Sequence, residues 1–155
     1  GDDPLYVIRR VVRFATEDIG MADPQALQLC MAAQQAVHFI GLPEGALAIA
    51  EAVVYCSLAP KSNALYRGYG AARSDVETSR NDPVPEHLRN APTRLMKDLG
   101  YGKDYVYPHD DPNAPPQTFL PDELRDQHFY QPRDAGFEAE LKRRLQAFLG
   151  RRKSK

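Results

Sequence analysis

The sequence has no tryptophan and only two cysteines in 155 residues. Cys30 and Cys56 sit in apolar runs and not in a spaced framework. That excludes a disulfide-stapled secreted domain and points to a reducing, cytoplasmic setting. No stretch of ~18 uninterrupted apolar residues occurs, and mean hydropathy is −0.53, so no membrane partner is expected. The opening Gly1-Asp2-Asp3-Pro4 lacks a basic region followed by an apolar core, so no targeting signal is read. Charge of one sign is missing too. Lys plus Arg number 20 against 21 Asp plus Glu, a net charge of −1, which removes the strongly basic footprint of a stand-alone nucleic-acid binder.

Several catalytic signatures are also absent. A phosphate-binding loop needs Gly, four residues, Gly-Lys and Ser or Thr, so that backbone N–H groups and the lysine surround the phosphates. Here Gly102-Lys103 is followed by Asp104, and Lys97 stands where the first glycine belongs. Gly68-Tyr69-Gly70 lacks a third glycine because Arg73 occupies its place. No His-Glu-x-x-His, Cys-x-x-Cys or Gly-x-Ser-x-Gly occurs, which removes the common zinc and serine-nucleophile patterns.

What is present divides by region. Nine of the 13 prolines fall between Asn81 and Arg133. Residues 16–66 carry five acids and one base, a net of −4, whereas the stretch from Arg133 carries eight bases and three acids, a net of +5. The regular first half reads as helix. Asp3 caps and Pro4 opens a first helix ended by Gly20, with Leu5, Ile8, Val12 and Ala15 on one side and Val7, Val11 and Phe14 in a second apolar row. Asp23-Pro24 starts a second, carried by Leu27, Met31 or Cys30, Gln34 and Val37–Ile40 to Gly41. From Ala46 to Ala59 almost nothing is polar, and Pro60 stops the run. Such a helix is expected to be nearly wrapped by protein. Ser62 or Asn63 caps a fourth helix through Leu65, Tyr69, Ala72 and Val76.

Beyond Asp82 the pattern shortens. One turn is expected at Glu86–Arg89, then a brief helix over Thr93–Leu99 docked by Leu95, Met96 and Leu99 and ended by Gly100. Residues 101–130 read as an irregular, proline-rich wrap. A last amphipathic helix covers roughly Gly136–Leu149, with Phe137, Leu141, Leu145 and Phe148 on one face and Lys142, Arg143 and Arg144 beside it. The expectation is an all-α fold of about four to six helices: one compact domain over 1–150, with 151–155 as a basic disordered tail.

Candidate sites follow from the polar residues that interrupt this pattern. Lys61 and Asn63 stand where a turn breaks the most apolar region, and Arg89, Asn90, Arg94 and Lys97 gather around a short helix start. Both groups are candidate phosphate or partner contacts, against the plainer readings of a capping turn and a salt-bridge hub. Asp104, His109, Asp110 and Asp111, with His128, are the best set for a divalent metal or proton transfer, although Asp110-Asp111-Pro112 is ordinary turn chemistry. His38 reads as a partly buried structural histidine, and Cys30 and Cys56 as small core thiols. The doubly apolar first and third helices leave surface that one chain would struggle to hide, which makes Val7, Val11, Phe14, Val53 and Val54 candidate residues of a self-association interface.

These same segments carry a family resemblance. Gly1-Asp-Asp-Pro-Leu-Tyr6, Arg13-Phe-Ala-Thr-Glu-Asp-Ile-Gly20 with Ala22-Asp-Pro24, Ala59-Pro-Lys-Ser-Asn63, His87-Leu-Arg-Asn-Ala-Pro-Thr-Arg-Leu-Met-Lys97 and Leu99-Gly-Tyr-Gly102 resemble the C-terminal region of the RarA (MgsA) family. Its eukaryotic relative is the Werner helicase-interacting protein. The resemblance runs from Gly1 to about Leu145, and Phe119-Leu-Pro-Asp122 and Tyr130 fit it. Thr16 replaces an expected serine, and the proline-rich segment before Phe119 departs in length and content.

The resemblance implies an all-helical oligomerisation domain, a homotetramer in the family, cut from a longer clamp-loader-like AAA+ ATPase of DNA replication, recombination and repair at stalled forks. It implies no catalytic, cofactor-binding or metal residue here, with ATP and Mg belonging to the ATPase module. Implied partners are a second copy of the chain, the AAA+ module, DNA and single-stranded-DNA-binding protein, in a nucleoid-associated cytoplasmic setting. Two alternatives stand beside it: a direct DNA-binding module using Arg89, Arg94, Lys97 and the basic tail, and a metal-dependent enzyme using the His109 region.

Overall fold

The computed structural model describes residues 3–78, 83–107, 110 and 117–153. Among them are six α-helices and no strand: α1 Pro4–Phe14, α2 Gln25–Ile40, α3 Ala46–Leu58, α4 Ala64–Thr78, α5 Arg94–Asp98 and α6 Glu138–Lys153. The chain divides into two compact units, Gly1–Arg73 with Phe129–Ala147, and Ser74–His128 with Phe148–Lys155.

In the first unit, α1 starts as its sequence dictates. The Asp3 carboxylate accepts the Leu5 N–H at 2.9 Å, and Pro4 takes the first helical position, where no N–H is needed. The helix then widens into a π turn at Ala15–Ile19 and tightens into a 3-10 turn at Gly20–Ala22. Asp23 starts α2 through a 3.1 Å bond from the Gln25 N–H. Ser62 starts α4 by accepting the Ala64 N–H at 3.2 Å, while its own N–H reaches the Asp18 carbonyl at 2.8 Å.

Helices α1, α2 and α3 pack on one another around a core made mostly of small residues, Ala15, Ala26, Cys30, Ala33, Ala52, Cys56 and Ala59, with Ile19 its one large side chain. Small side chains let helix axes approach closely, so the large apolar residues lie on the outer faces. This shifts several expected faces. On α2 the buried positions are Ala26, Cys30, Ala33 and Val37, and both Leu27 and Met31 face outward. On α4 they are Ala64 and Gly68, with Leu65, Tyr69 and Val76 exposed. His38 is exposed and not partly buried.

The expected wrapping of α3 is also corrected. Only Ala52 and Cys56 are buried along its length, and Leu47 and Leu58 are 76% and 83% exposed. The uniform apolarity reflects an inner face of small residues and an outer face of large ones, which periodicity alone does not separate.

In the second unit, Glu86–Leu88 forms a 3-10 turn, and the Thr93 hydroxyl caps α5 by accepting the Met96 N–H at 3.3 Å. Leu95 and Leu99 do not dock this helix, being 68% and 56% exposed. Two contacts tie the described parts of 101–128. Gln117 pairs through both amide atoms with the Val106 backbone, its oxygen accepting the Val106 N–H at 3.1 Å, and His87 Nε2 lies 2.8 Å from the Thr118 carbonyl. Helix α6 continues through Lys153, past the expected end near Leu149 and into the stretch expected as a tail. Arg and Lys are good helix formers, so nothing in 151–153 stops the helix.

Candidate functional site

The feature most in need of explanation is the outward face of α3. Leu47, Ala50, Val54 and Leu58 recur at helical spacing on the side away from Ala52 and Cys56. With Leu29 of α2 and Pro60 they line an open groove of about 750 Å3. Its polar border is Glu51, exposed on α3, together with one ordered pair, Tyr55 Oη donating to Asp23 Oδ2 at 2.7 Å. That hydrogen bond, together with desolvation, raises the Tyr55 pKa above its ordinary value. The carboxylate of Asp23 therefore joins the start of α2 to the middle of α3. At the end of α2 and in the following turn, Phe39, Ile40 and Leu42 are exposed as well, Phe39 at 91%.

The five residues expected at an interface divide. Val53 and Val54 are exposed on α3. Val7 and Val11 are half-buried within the chain, and Val11 packs against the small-residue core, its carbonyl 3.9 Å from Cys30 Sγ. Phe14 is exposed at the end of α1, with the Lys61 ammonium 5.5 Å from its ring centre.

Of the expected polar contacts, Lys61 is committed within the fold. Its ammonium donates to the Cys56 and Ser57 carbonyls at 2.9 and 3.3 Å and also to the Ala59 carbonyl. These are carbonyls left open at the end of α3, where Pro60 forbids another turn and a cation meets the negative end of the helix dipole. Lys61→Ala should lower stability by about 1 kcal/mol, read as the midpoint of urea unfolding. An unchanged midpoint would show that water caps α3 equally well. Asn63 is exposed, and its carbonyl accepts the Arg67 N–H at 3.0 Å.

Arg89 is likewise engaged. Its Nε donates to the Val84 carbonyl at 2.6 Å, and its guanidinium lies 4.9 Å from the Tyr101 ring centre. Asn90, Arg94 and Lys97 are exposed in the same unit, and neither cation forms an ion pair among the described residues. The structure thus separates this cluster into one tethered arginine and two cations on the surface of α5.

Of the acid–histidine set, His109 and Asp111 lie outside the described residues. Asp104 sits in a left-handed turn at φ 62°, and Asp110 and His128 are exposed. Among the described residues no group of three or more His, Cys, Asp or Glu could hold a metal ion. The thiols of Cys30 and Cys56 are buried 3.5 Å apart between α2 and α3. Burial, then the contact with Cys56, pushes the Cys30 thiol up to about 12, so it stays protonated and packs as a small apolar group.

The residues missed in the sequence are Leu47 and Leu58 of the apolar groove and the pair Tyr130–Glu138. A signal for the first existed in the spacing Ala48, Ala52, Cys56 and Ala59, which marks the inner face and sends Leu47 and Leu58, eleven positions apart, to the other side. The second joins a wrap residue to a helix start eight positions on, across an irregular turn whose path no helical or strand spacing predicts.

Comparison with known proteins adds an independent line. A family profile described as the C terminal of the MgsA AAA+ ATPase matches residues 1–149. Replication-associated recombination protein A of Coxiella burnetii is 51% identical over 150 residues, covering 96% of this chain and 34% of that protein. The protein of the same name from Escherichia coli is 45% identical over 147 residues, covering 94% of this chain and 33% of that protein. The ATPase WRNIP1 of Dictyostelium discoideum is 49% identical over 133 residues, 84% of this chain and 15% of that protein. The chain spans about a third of the length of the bacterial relatives.

Proposed function

The chain belongs to the MgsA AAA+ ATPase C-terminal family, and from that membership we propose that it is a homo-oligomerisation and interaction domain, assembling as a tetramer. The ATPase it serves acts in replication-associated recombination, as the names of its relatives say of them. Nucleotide chemistry is assigned to the AAA+ module of the longer protein and not to this chain. The sequence lacks a phosphate-binding loop, and no described group of carboxylates, thiols or imidazoles fits a magnesium ion. The chain is therefore proposed to have no catalytic role of its own. Contacts with DNA and single-stranded-DNA-binding protein are proposed for the assembled ATPase, in the cytoplasm near the nucleoid. Among the described residues no helix is long and apolar enough to cross a membrane.

The observation that carries this reading is the outward apolar face of α3, continued by Phe39, Ile40 and Leu42. Withdrawing a Leu, Val or Phe side chain from water gains roughly 1.5–3 kcal/mol. A core made mostly of alanines and cysteines, with Ile19, gives up much of that gain inside one chain. Docking the outer leucines against a second copy restores it, and a stable interface needs only about 800 Å2 per partner. A helix placing small residues inward and leucines outward is what a buried layer between subunits looks like when one subunit is viewed alone.

The test is absolute mass in solution across a concentration series. The expected result is a stable species near four times 17.4 kDa. Val54→Glu with Leu58→Glu should reduce it to monomer, because two carboxylates would have to be desolvated in the interface. A monomer at every concentration, or a multimer untouched by the paired substitution, would sink the proposal that this face assembles copies of the chain.

A further inference from the structure

A second groove, of about 440 Å3, lies in the first unit between α4, the segment 129–134 and the start of α6. Its floor is made possible by small residues. Ala64, Gly68 and Ala71 recur at helical spacing on one side of α4 and let the 129–134 backbone come close. A Cβ built on Gly68 would stand 2.9 Å from the Phe129 carbonyl oxygen, so no larger residue fits there. The opposite wall is pinned to α6 by the 2.7 Å hydrogen bond from Tyr130 Oη to Glu138 Oε1. The groove is therefore held from both sides.

Its lining carries Arg67, Arg133 and Lys142 against the single carboxylate of Asp134. Lys142 and Asp134 answer one another at 2.6 Å. The neighbouring bases of α6 are answered too, Arg143 and Arg144 by Glu140 at 2.5 and 2.9 Å. Arg67 and Arg133 have neither an ion pair nor a side-chain hydrogen bond among the described residues. In a chain of net charge −1, two guanidinium groups unanswered among the described residues, beside an already paired lysine, are a local excess of positive charge. Guanidinium donors match the spacing of phosphate oxygens and keep their charge at any physiological pH. The groove also has room for much more than one water, whose share of liquid is roughly 30 Å3.

We propose that this groove is an oxoanion site that takes the oxygens of a phosphate ester between Arg67 and Arg133. The chemistry is common to a free nucleotide phosphate and to the phosphodiester of a nucleic-acid strand, and two probes separate these sources. Sodium pyrophosphate is titrated into the 155-residue chain with detection by calorimetry, and fluorescein-labelled oligothymidylate with detection by anisotropy over a range of salt.

Arg67→Glu and Arg133→Glu should each weaken binding about tenfold or more. Arg10→Glu, an exposed arginine on α1, makes the same change of charge outside the groove and should leave binding nearly intact. With the strand, losing both arginines should lower the slope of log affinity against log salt by about 1.4. Binding of pyrophosphate alone would assign the site to free phosphates; binding of the strand alone would assign it to a polymer. Helical circular dichroism checks each variant, and Arg67→Gln and Arg133→Gln replace any that unfold. Failure of both probes, indifference to both arginines, or an equal loss in Arg10→Glu would overturn the proposal.

Discussion

Replacing Gly136 by alanine should cost the fold about 3 kcal/mol or more, the largest loss expected from removing so little. Gly136 has φ +50°, a region that an L side chain enters only with strain. Space is a second obstacle. The added Cβ would fall 2.2 Å from the Ala22 carbonyl oxygen and 2.6 Å from Pro60 Cγ. The carbonyl cannot step aside cheaply, because it accepts the Phe137 N–H at 2.8 Å and so fastens the entry of α6 to the turn before α2. Gly70 is the contrasting case. It lies inside α4 with nothing within 4 Å of a Cβ built on it, so Gly70→Ala should raise stability by about 0.5–1 kcal/mol. Urea unfolding of both variants at one protein concentration checks the pair. Equal effects of the same sign would mean that neither strain nor contact governs these positions.

Helix positions were legible because their start and stop signals are local. Asp3-Pro4, Asp23 and Ser62 each place an oxygen where the first free N–H groups of a helix need one, and all three side chains make that bond; Thr93, expected as the first residue of its helix, caps α5 in the same way. The buried faces were less legible. Hydrophobic periodicity ranks leucine and methionine above alanine, so it nominated Leu27 and Met31 of α2 with Cys30 as the alternative, whereas Ala26, Cys30, Ala33 and Val37 are the buried residues. Close helix packing selects for size before hydrophobicity. The same inversion hid the groove on α3 behind an expectation of full burial.

Lys61 shows a different limit. Its position after the most apolar run left both a partner contact and a capping turn open; its three carbonyl contacts lie within five residues, yet the geometry of a capping lysine depends on how the chain turns at Pro60. Arg67 and Arg133 are 66 positions apart and carry no mutual signal in sequence. They line one groove only because α4 is narrow enough at Gly68 for the later segment to reach it.

Tyr130→Phe should destabilise the chain by about 2–3 kcal/mol, more than the loss of an ordinary surface hydrogen bond. The reason is the state of its acceptor. Glu138 is fully buried at the first position of α6, and its Oε2 has no hydrogen-bond partner among the described residues. The phenol of Tyr130 gives the carboxyl group its one side-chain donor among them, at 2.7 Å, and the positive end of the helix dipole adds to its support. Removing the hydroxyl leaves both carboxyl oxygens without a side-chain donor. Pairing Tyr130→Phe with Glu138→Met should recover much of the loss, since removing both partners leaves no buried group unsatisfied.

The pair also sets a pH dependence of definite sign. Burial first, and then the bond to Glu138, raise the pKa of Tyr130 above its ordinary value, which is about 10. A raised phenol contributes its full stability below that ordinary value and loses it as the pH climbs toward the folded-state value. Cys30 shifts in the same direction, so alkaline weakening alone does not isolate the tyrosine; the difference between the original chain and Tyr130→Phe does. That difference should be constant through neutral pH and shrink above about pH 10. A difference that grew with alkalinity would mean that the phenolate is the form the fold prefers, and the proposed role of Glu138 as acceptor would be wrong.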